Sequence, residues 1–87
     1  MIDSKYKVKR CITEFSEETE ELVAEHDLDG FELLEFQKEF NVPNAENPMF
    51  DCYPIKSENI SFLKKYITVE PDWDFVNKSY FVEAHGI

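Results

Sequence analysis

The sequence predicts a small α+β domain, an antiparallel β-sheet made of an N-terminal hairpin and a C-terminal strand, with two short helices packed on one face. Three observations carry this expectation. Residues near both ends of the chain alternate with a period of two, the middle repeats apolar residues at helical spacing, and three of the four prolines lie between the two helical stretches.

Residues 5 to 15 open the sheet. Tyr6, Val8 and Ile12 fall on one side and Lys7, Lys9, Cys11 and Thr13 on the other, with β-branched residues frequent. Four of the nine basic residues (Lys5, Lys7, Lys9, Arg10) belong to this stretch. A reversal at Ser16 to Glu18 would lay them beside the acidic segment that follows.

Residues 19 to 28 are open to two readings. Local propensity favours a helix, because Glu, Leu and Ala are good helix formers. A helix, however, sets Glu17/Glu20, Glu17/Glu21, Glu18/Glu21 and Glu21/Glu25 at repulsive spacings, each costing roughly 0.2–0.5 kcal/mol. As a strand, Leu22, Ala24, His26 and Leu28 share one face and Glu21, Val23, Glu25 and Asp27 the other. The strand is favoured because it brings carboxylates opposite Lys7, Lys9 and Arg10.

Asp29-Gly-Phe-Glu32 has the spacing of a capping box. Leu33, Phe36, Gln37 and Phe40 then recur at i, i+3, i+4 and i+7, which predicts a helix over 30–41 that Val42-Pro43 ends. Residues 41 to 54 read as an irregular connection whose apolar part, Met49 to Ile55, lies against the core. Ser57 can cap a second helix over 58–67 with Ile60, Leu63 and Ile67 inward. Tyr80 to His85 alternates again, with Tyr80, Val82 and Ala84 on one side, and closes the sheet.

At 87 residues, residues 1–87 are expected to form a single domain, with 13 aromatic side chains supplying buried area to a small core. Cys11 and Cys52 are too few for a disulfide framework and lack ligand spacing, so they read as reduced thiols. The N-terminal residues lack the apolar run of a secretory signal, and no stretch approaches the ~20 apolar residues of a membrane span. The expected compartment is the cytoplasm.

Charge is the strongest functional signal. Ten acidic residues fall between Glu14 and Glu35 with no Lys or Arg among them, out of 19 in a chain of formal net charge -10. Such a field repels nucleic acid and anionic membrane and speeds encounter with cationic proteins by roughly 10 to 1,000-fold at low salt. The blander reading is a solvated face that keeps a small protein soluble.

Catalytic constellations are not evident. Two glycines exclude a phosphate-binding loop or dinucleotide fingerprint. His26 and His85 have no ligand-spaced partners, Asp27-Leu-Asp29-Gly30 lacks the remaining positions of a calcium loop, and abundant carboxylates are not diagnostic of glycosidase chemistry. No enzymatic activity, cofactor or metal is expected, and no direct contact with nucleic acid or membrane. The candidate partner-binding residues are Glu17, Glu18, Glu20, Glu21, Glu25 and Asp27, with Asp72, Trp73 and Asp74 as a second group. Trp73 reads more readily still as a core ring of a small domain.

Arg10-x-Ile12-x-x-Phe15, Thr19-Glu20-Glu21-Leu22-Val23, Phe36-Gln37-x-x-Phe40, Pro48-Met49-x-Asp51-x-Tyr53-Pro54-Ile55 and Tyr80-Phe81-Val82-Glu83 together resemble small bacterial immunity proteins of contact-dependent growth inhibition systems (CdiI type). The resemblance spans most of the chain and implies a hairpin for the first two segments. It also implies stoichiometric inhibition: binding to the C-terminal toxin domain of a cognate effector, commonly a nuclease with a basic surface. The expected function is therefore neutralisation of a basic toxin by a monomeric acidic protein. The alternative is a phosphate mimic or adaptor that inhibits another nucleic-acid-binding protein.

Overall fold

The sheet is assembled on β2 (Val8–Ser16), in a computed structural model that describes residues 2–3 and 7–86. One edge of β2 pairs along its length with β5 (Lys78–Gly86), from Val8 opposite Gly86 to Ser16 opposite Lys78. The other edge is shared end to end: β1 (Ile2–Asp3) pairs with Val8 and Lys9, and β3 (Leu22–Asp27) with Cys11 to Phe15. β4 (Tyr53–Pro54) adds to the far edge of β5. All pairings are antiparallel, so the α+β architecture with an N-terminal hairpin and a C-terminal strand is as expected. Lys5 and Tyr6, which the alternation assigns to the first strand, lie outside the described residues.

Strand periodicity divides the sheet into two faces. On the inner face, Ile12, Tyr80 and Val82 meet Leu28, Phe36, Met49, Ile55 and Leu63 in the core. Phe36, on α1 (Leu33–Glu39), is fully buried, with its ring centroid 4.3 Å from that of Phe31 and 4.9 Å from those of Phe62 and Tyr66. Gln37, beside it, donates its side-chain amide to the carbonyls of Ala45 at 3.1 Å and Asn47 at 2.7 Å. It fastens the connection after α1, whose apolar end delivers Met49 and Ile55 to the core as expected.

Arg10 departs from the expected pairing. It sits on the inner face at 0 % exposure, donates from Nη1 to the Met49 carbonyl at 2.8 Å and lies 4.4 Å over the Phe31 ring. Its planar, weakly hydrated guanidinium tolerates an aromatic, carbonyl-lined site that an ammonium would resist.

Both helices are shorter than the sequence suggests. Asp29 donates its backbone N–H to Tyr66 O at 2.6 Å and Leu28 bridges Ile67, so residues 28–29 and 66–67 are tied side by side. This pairing keeps Asp29 from capping: α1 starts after Glu32 with no side-chain cap, and Gly30 turns the chain at φ +71°. The same pairing removes Ile67 from the second helix. A 3₁₀ turn (Ser57–Asn59) leads into a single turn, α2 (Ile60–Leu63). Asn59, not Ser57, organises its start, accepting from the Lys56 N–H at 2.8 Å and donating to Glu39 at 2.9 Å.

The strand reading of residues 19 to 28 holds over Leu22–Asp27, with one irregularity. Glu14 faces Ala24 but Phe15 faces Leu22, so Val23 is an extra, bulged residue. The bulge transfers Leu22 from the expected core face to the Phe15 side, where it is 51 % exposed.

Because Phe36 joins both helices to the sheet, Phe36→Ala should lower the unfolding free energy by about 3–5 kcal/mol. Urea denaturation measures this, and a loss below about 1 kcal/mol would mean that the ring cluster repacks around the gap.

Candidate partner-binding surface

The acidic residues of the hairpin occupy a turn that is fixed by its neutral neighbours. Ser16 donates its N–H to Glu21 O at 3.0 Å, and its carbonyl accepts from the Glu20 N–H at 2.8 Å. The Ser16 and Thr19 hydroxyls accept from the backbone of Thr19 and Glu21, each at 3.3 Å. Glu20 adopts φ 61°, a left-handed conformation uncommon for a side chain of this size. Glu17, Glu18, Glu20 and Glu21 all project into solvent, and among the described residues none of the four forms an ion pair.

The second candidate segment lies at the same end of the sheet. Glu17 donates its N–H to Asn77 O at 2.9 Å, linking the hairpin turn to the loop that precedes β5. That loop is held from below by Tyr80: its hydroxyl accepts from the Asp74 N–H at 2.9 Å, and its ring meets Trp73 at 4.8 Å and Phe75 at 5.2 Å. Asp74 is used internally, accepting from the backbone of Val76 and Asn77 at 3.1 Å and from the Asn77 side chain at 3.0 Å. The Asn77 contacts hold its carboxyl below the ordinary range. Trp73 packs against the core, whereas Asp72 is exposed. The same loop exposes Phe75 (37 %) and Val76 (84 %).

Immediately beside the turn, on the outer face, Phe15 and Phe81 meet edge to face at 5.8 Å. They form the apolar wall of a shallow pocket of about 360 Å³ that Glu17, Glu20 and Glu83 also line. This end of the molecule therefore combines exposed carboxylates, aromatic surface and a concavity, the ingredients of a protein interface with a charged rim.

Glu25 and Asp27 have different surroundings. Asp27 pairs with Lys9 at 2.9 Å, the cross-strand contact expected of the hairpin, and Lys9 holds its carboxyl below the ordinary range. Glu25 joins a polar cluster on the outer face of β2, β3 and β5. Its Oε1 lies 3.3 Å from His85 Nδ1 and 3.8 Å from Cys11 Sγ, while Cys11 Sγ lies 3.8 Å from His85 Nδ1. His85 Nε2 meets Glu83 Oε1 at 3.0 Å, and Glu83 Oε2 accepts from the Thr13 hydroxyl at 2.7 Å.

The Cys11, His85, Glu83 line has the order of a nucleophile, a base and an orienting acid, yet the thiol is poorly suited to attack. Burial first, then Glu25 and Glu83, pushes Cys11 up to about 11, so it is protonated near neutrality. His26 does not join this group. It is on the opposite face, register-paired with Ile12, and meets Glu14 Oε1 at 2.9 Å. The sequence reading missed the cluster because Cys11, Glu25 and His85 converge only through strand register; alternation placed two of them correctly but not the pairing between strands.

Residues 9–83 match the family described as a domain of unknown function (DUF7683), and the chain belongs to that family. No curated protein and no solved structure matches the chain. Among the described residues, no helix is long and apolar enough to cross a membrane.

Glu14, the first acid of the stretch, is buried beneath this end of the sheet. Burial pushes its carboxyl up, but Lys78 at 2.7 Å and His26 outweigh that effect and hold it below its ordinary 4.5. A carboxyl depressed in the folded state stabilises the fold above its unfolded-state pKa and loses that contribution as pH falls through the folded value. The urea midpoint should therefore drop as pH is lowered from 4.5, and Glu14→Gln should flatten the profile. Parallel profiles for the two proteins would exclude Glu14 as a source of acid sensitivity.

Proposed function

We propose that this protein is an immunity protein: a stoichiometric inhibitor that binds the basic C-terminal toxin domain of a cognate effector with the acidic end of its sheet. The observation that carries the reading is the backbone link from Glu17 to Asn77, which joins the turn bearing four exposed carboxylates, none in an ion pair among the described residues, to the loop that exposes Phe75 and Val76. Long-range attraction and short-range apolar burial are thereby available on one surface. The carboxylates steer a cationic partner into place, and the apolar side chains supply contacts that a purely ionic encounter lacks. The resemblance to immunity proteins of contact-dependent growth inhibition supports the same partner class, and a nuclease toxin would present the basic surface required. On this reading the protein works as a monomer, by occupying a surface, and carries out no chemistry of its own.

Within the acidic set, Glu17, Glu18, Glu20 and Glu21 are assigned to the interface, with Asp72 at its margin. Glu25 and Asp27 are already engaged on the outer face, and Asp74 and Trp73 support the loop from inside.

Co-expression with the toxin encoded beside this gene should restore growth, and Val76→Asp should weaken that protection. Charge reversal of Glu17, Glu18, Glu20 and Glu21 to Lys should slow association by on the order of tenfold or more at low salt and flatten its salt dependence. Unchanged association kinetics in a folded variant would move the interface elsewhere. Absence of a toxin, together with tight binding to a host nucleic-acid-binding protein, would replace immunity with phosphate mimicry.

A further inference from the structure

The outer face of the sheet carries a donor set that the proposed interface does not use. Cys11, Glu25 and His85 come from three adjacent strands, β2, β3 and β5, and their donor atoms all lie within 4.8 Å of one another. The separations are specific: 3.8 Å from Cys11 Sγ to His85 Nδ1, 3.8 Å from Cys11 Sγ to Glu25 Oε1, and 3.3 Å from His85 Nδ1 to Glu25 Oε1. Around a tetrahedral Zn²⁺, with bonds of about 2.3 Å to sulfur and about 2.0–2.1 Å to nitrogen or oxygen, the sulfur edges are about 3.5 Å and the N–O edge about 3.3 Å. The three side chains thus stand within a few tenths of an ångström of the edges of that polyhedron.

The outer contacts fit the same geometry. Glu83 takes the far nitrogen of His85 at 3.0 Å, which presents Nδ1 toward Cys11 and Glu25, and Thr13 holds Glu83 in turn at 2.7 Å. A carboxylate behind a ligating imidazole is a recurrent second layer of zinc sites, where it sets the tautomer and raises ligand basicity. Cys11 is fully buried beneath the cluster, while His85 and Glu25 keep 41 % and 40 % side-chain exposure, so one side remains open for ion entry and a fourth ligand.

We propose that Cys11, Glu25 and His85 form a three-ligand site for Zn²⁺, with Glu83 as the positioning residue for His85 and the fourth position open to water. The sulfur, imidazole and carboxylate set matches a borderline-soft ion and not Mg²⁺ or Ca²⁺, which take oxygen ligands. Binding releases the Cys11 thiol proton to solvent. His85 binds as the neutral imidazole, through the Nδ1 lone pair, with its Nε2–H donated to Glu83.

The test is titration of the reduced, full-length protein with Co²⁺ as a spectroscopic substitute. One equivalent should produce thiolate-to-cobalt charge-transfer absorption with tetrahedral ligand-field bands, all lost when stoichiometric Zn²⁺ is added. Zn²⁺ should also raise the thermal unfolding midpoint of the unmodified protein, which tests the site without any substitution. Cys11→Ser should abolish the charge-transfer band. Glu83→Gln should retain it while weakening Zn²⁺ binding on the order of 10 to 100-fold. Absence of both the band and the thermal shift in the unmodified protein would overturn the proposal and leave His85 as a purely structural contact between Glu25 and Glu83. A band that Cys52→Ser abolishes and Cys11→Ser leaves would overturn it equally.

Discussion

The pairing of β2 with β5 is the constraint on which every other feature rests. Nine consecutive residues of each strand are in register, and both faces of this ribbon are occupied. On the inner side Ile12 and Val82 are brought face to face and form the floor of the core, with Tyr80 beside them. On the outer side the same register sets Cys11 opposite Glu83 and Lys9 opposite His85, and thereby assembles the polar cluster. A one-residue slip would exchange the two faces and place Arg10 and Glu14 in the open while exposing the core. The fixed register at the other end of the ribbon sets Ser16 opposite Lys78, which is why the hairpin turn and the loop before β5 share a surface.

The sheet also sorts the negative charge. Carboxylates on strands acquire partners: Glu14 meets Lys78 and His26, Asp27 meets Lys9, and Glu25 meets His85. Among the described residues the carboxylates on the turn form no ion pair, because they project past the strand ends into solvent. Within the hairpin, sorting of this kind leaves the uncompensated charge on the turn, next to the loop that exposes Phe75 and Val76. A focused field orients an approaching charged molecule, and a diffuse one does not.

Hairpin and closing strand were legible from alternation, and the strand reading of residues 22–27 from the repulsion a helix would impose on its glutamates. Helix lengths were not. The capping pattern at Asp29 and the periodicity through Ile67 are real local signals, but pairing of Leu28–Asp29 with Tyr66–Ile67 overrides both with backbone hydrogen bonds between segments far apart in sequence. Arg10 was misread for a related reason. Its charge suggested a carboxylate across the hairpin, whereas strand parity sends it inward, under Phe31. The bulge at Val23 shows no signature in composition, and it alone moves Leu22 out of the core face.

What the sequence determined by itself was the α+β class, the hairpin and the presence of a strong local excess of acid, because alternation and charge are properties of neighbouring residues. Tertiary structure decided which acids remain free, and it joined the 17–21 turn to the 72–77 loop. It also gathered Cys11, Glu25 and His85 from three strands into one cluster. Those outcomes depend on register between strands up to 74 positions apart, as for Cys11 and His85. Turn geometry sets the register of the β2–β3 hairpin, but β2 and β5 are joined by no hairpin, and their register is fixed by which faces pack into the core.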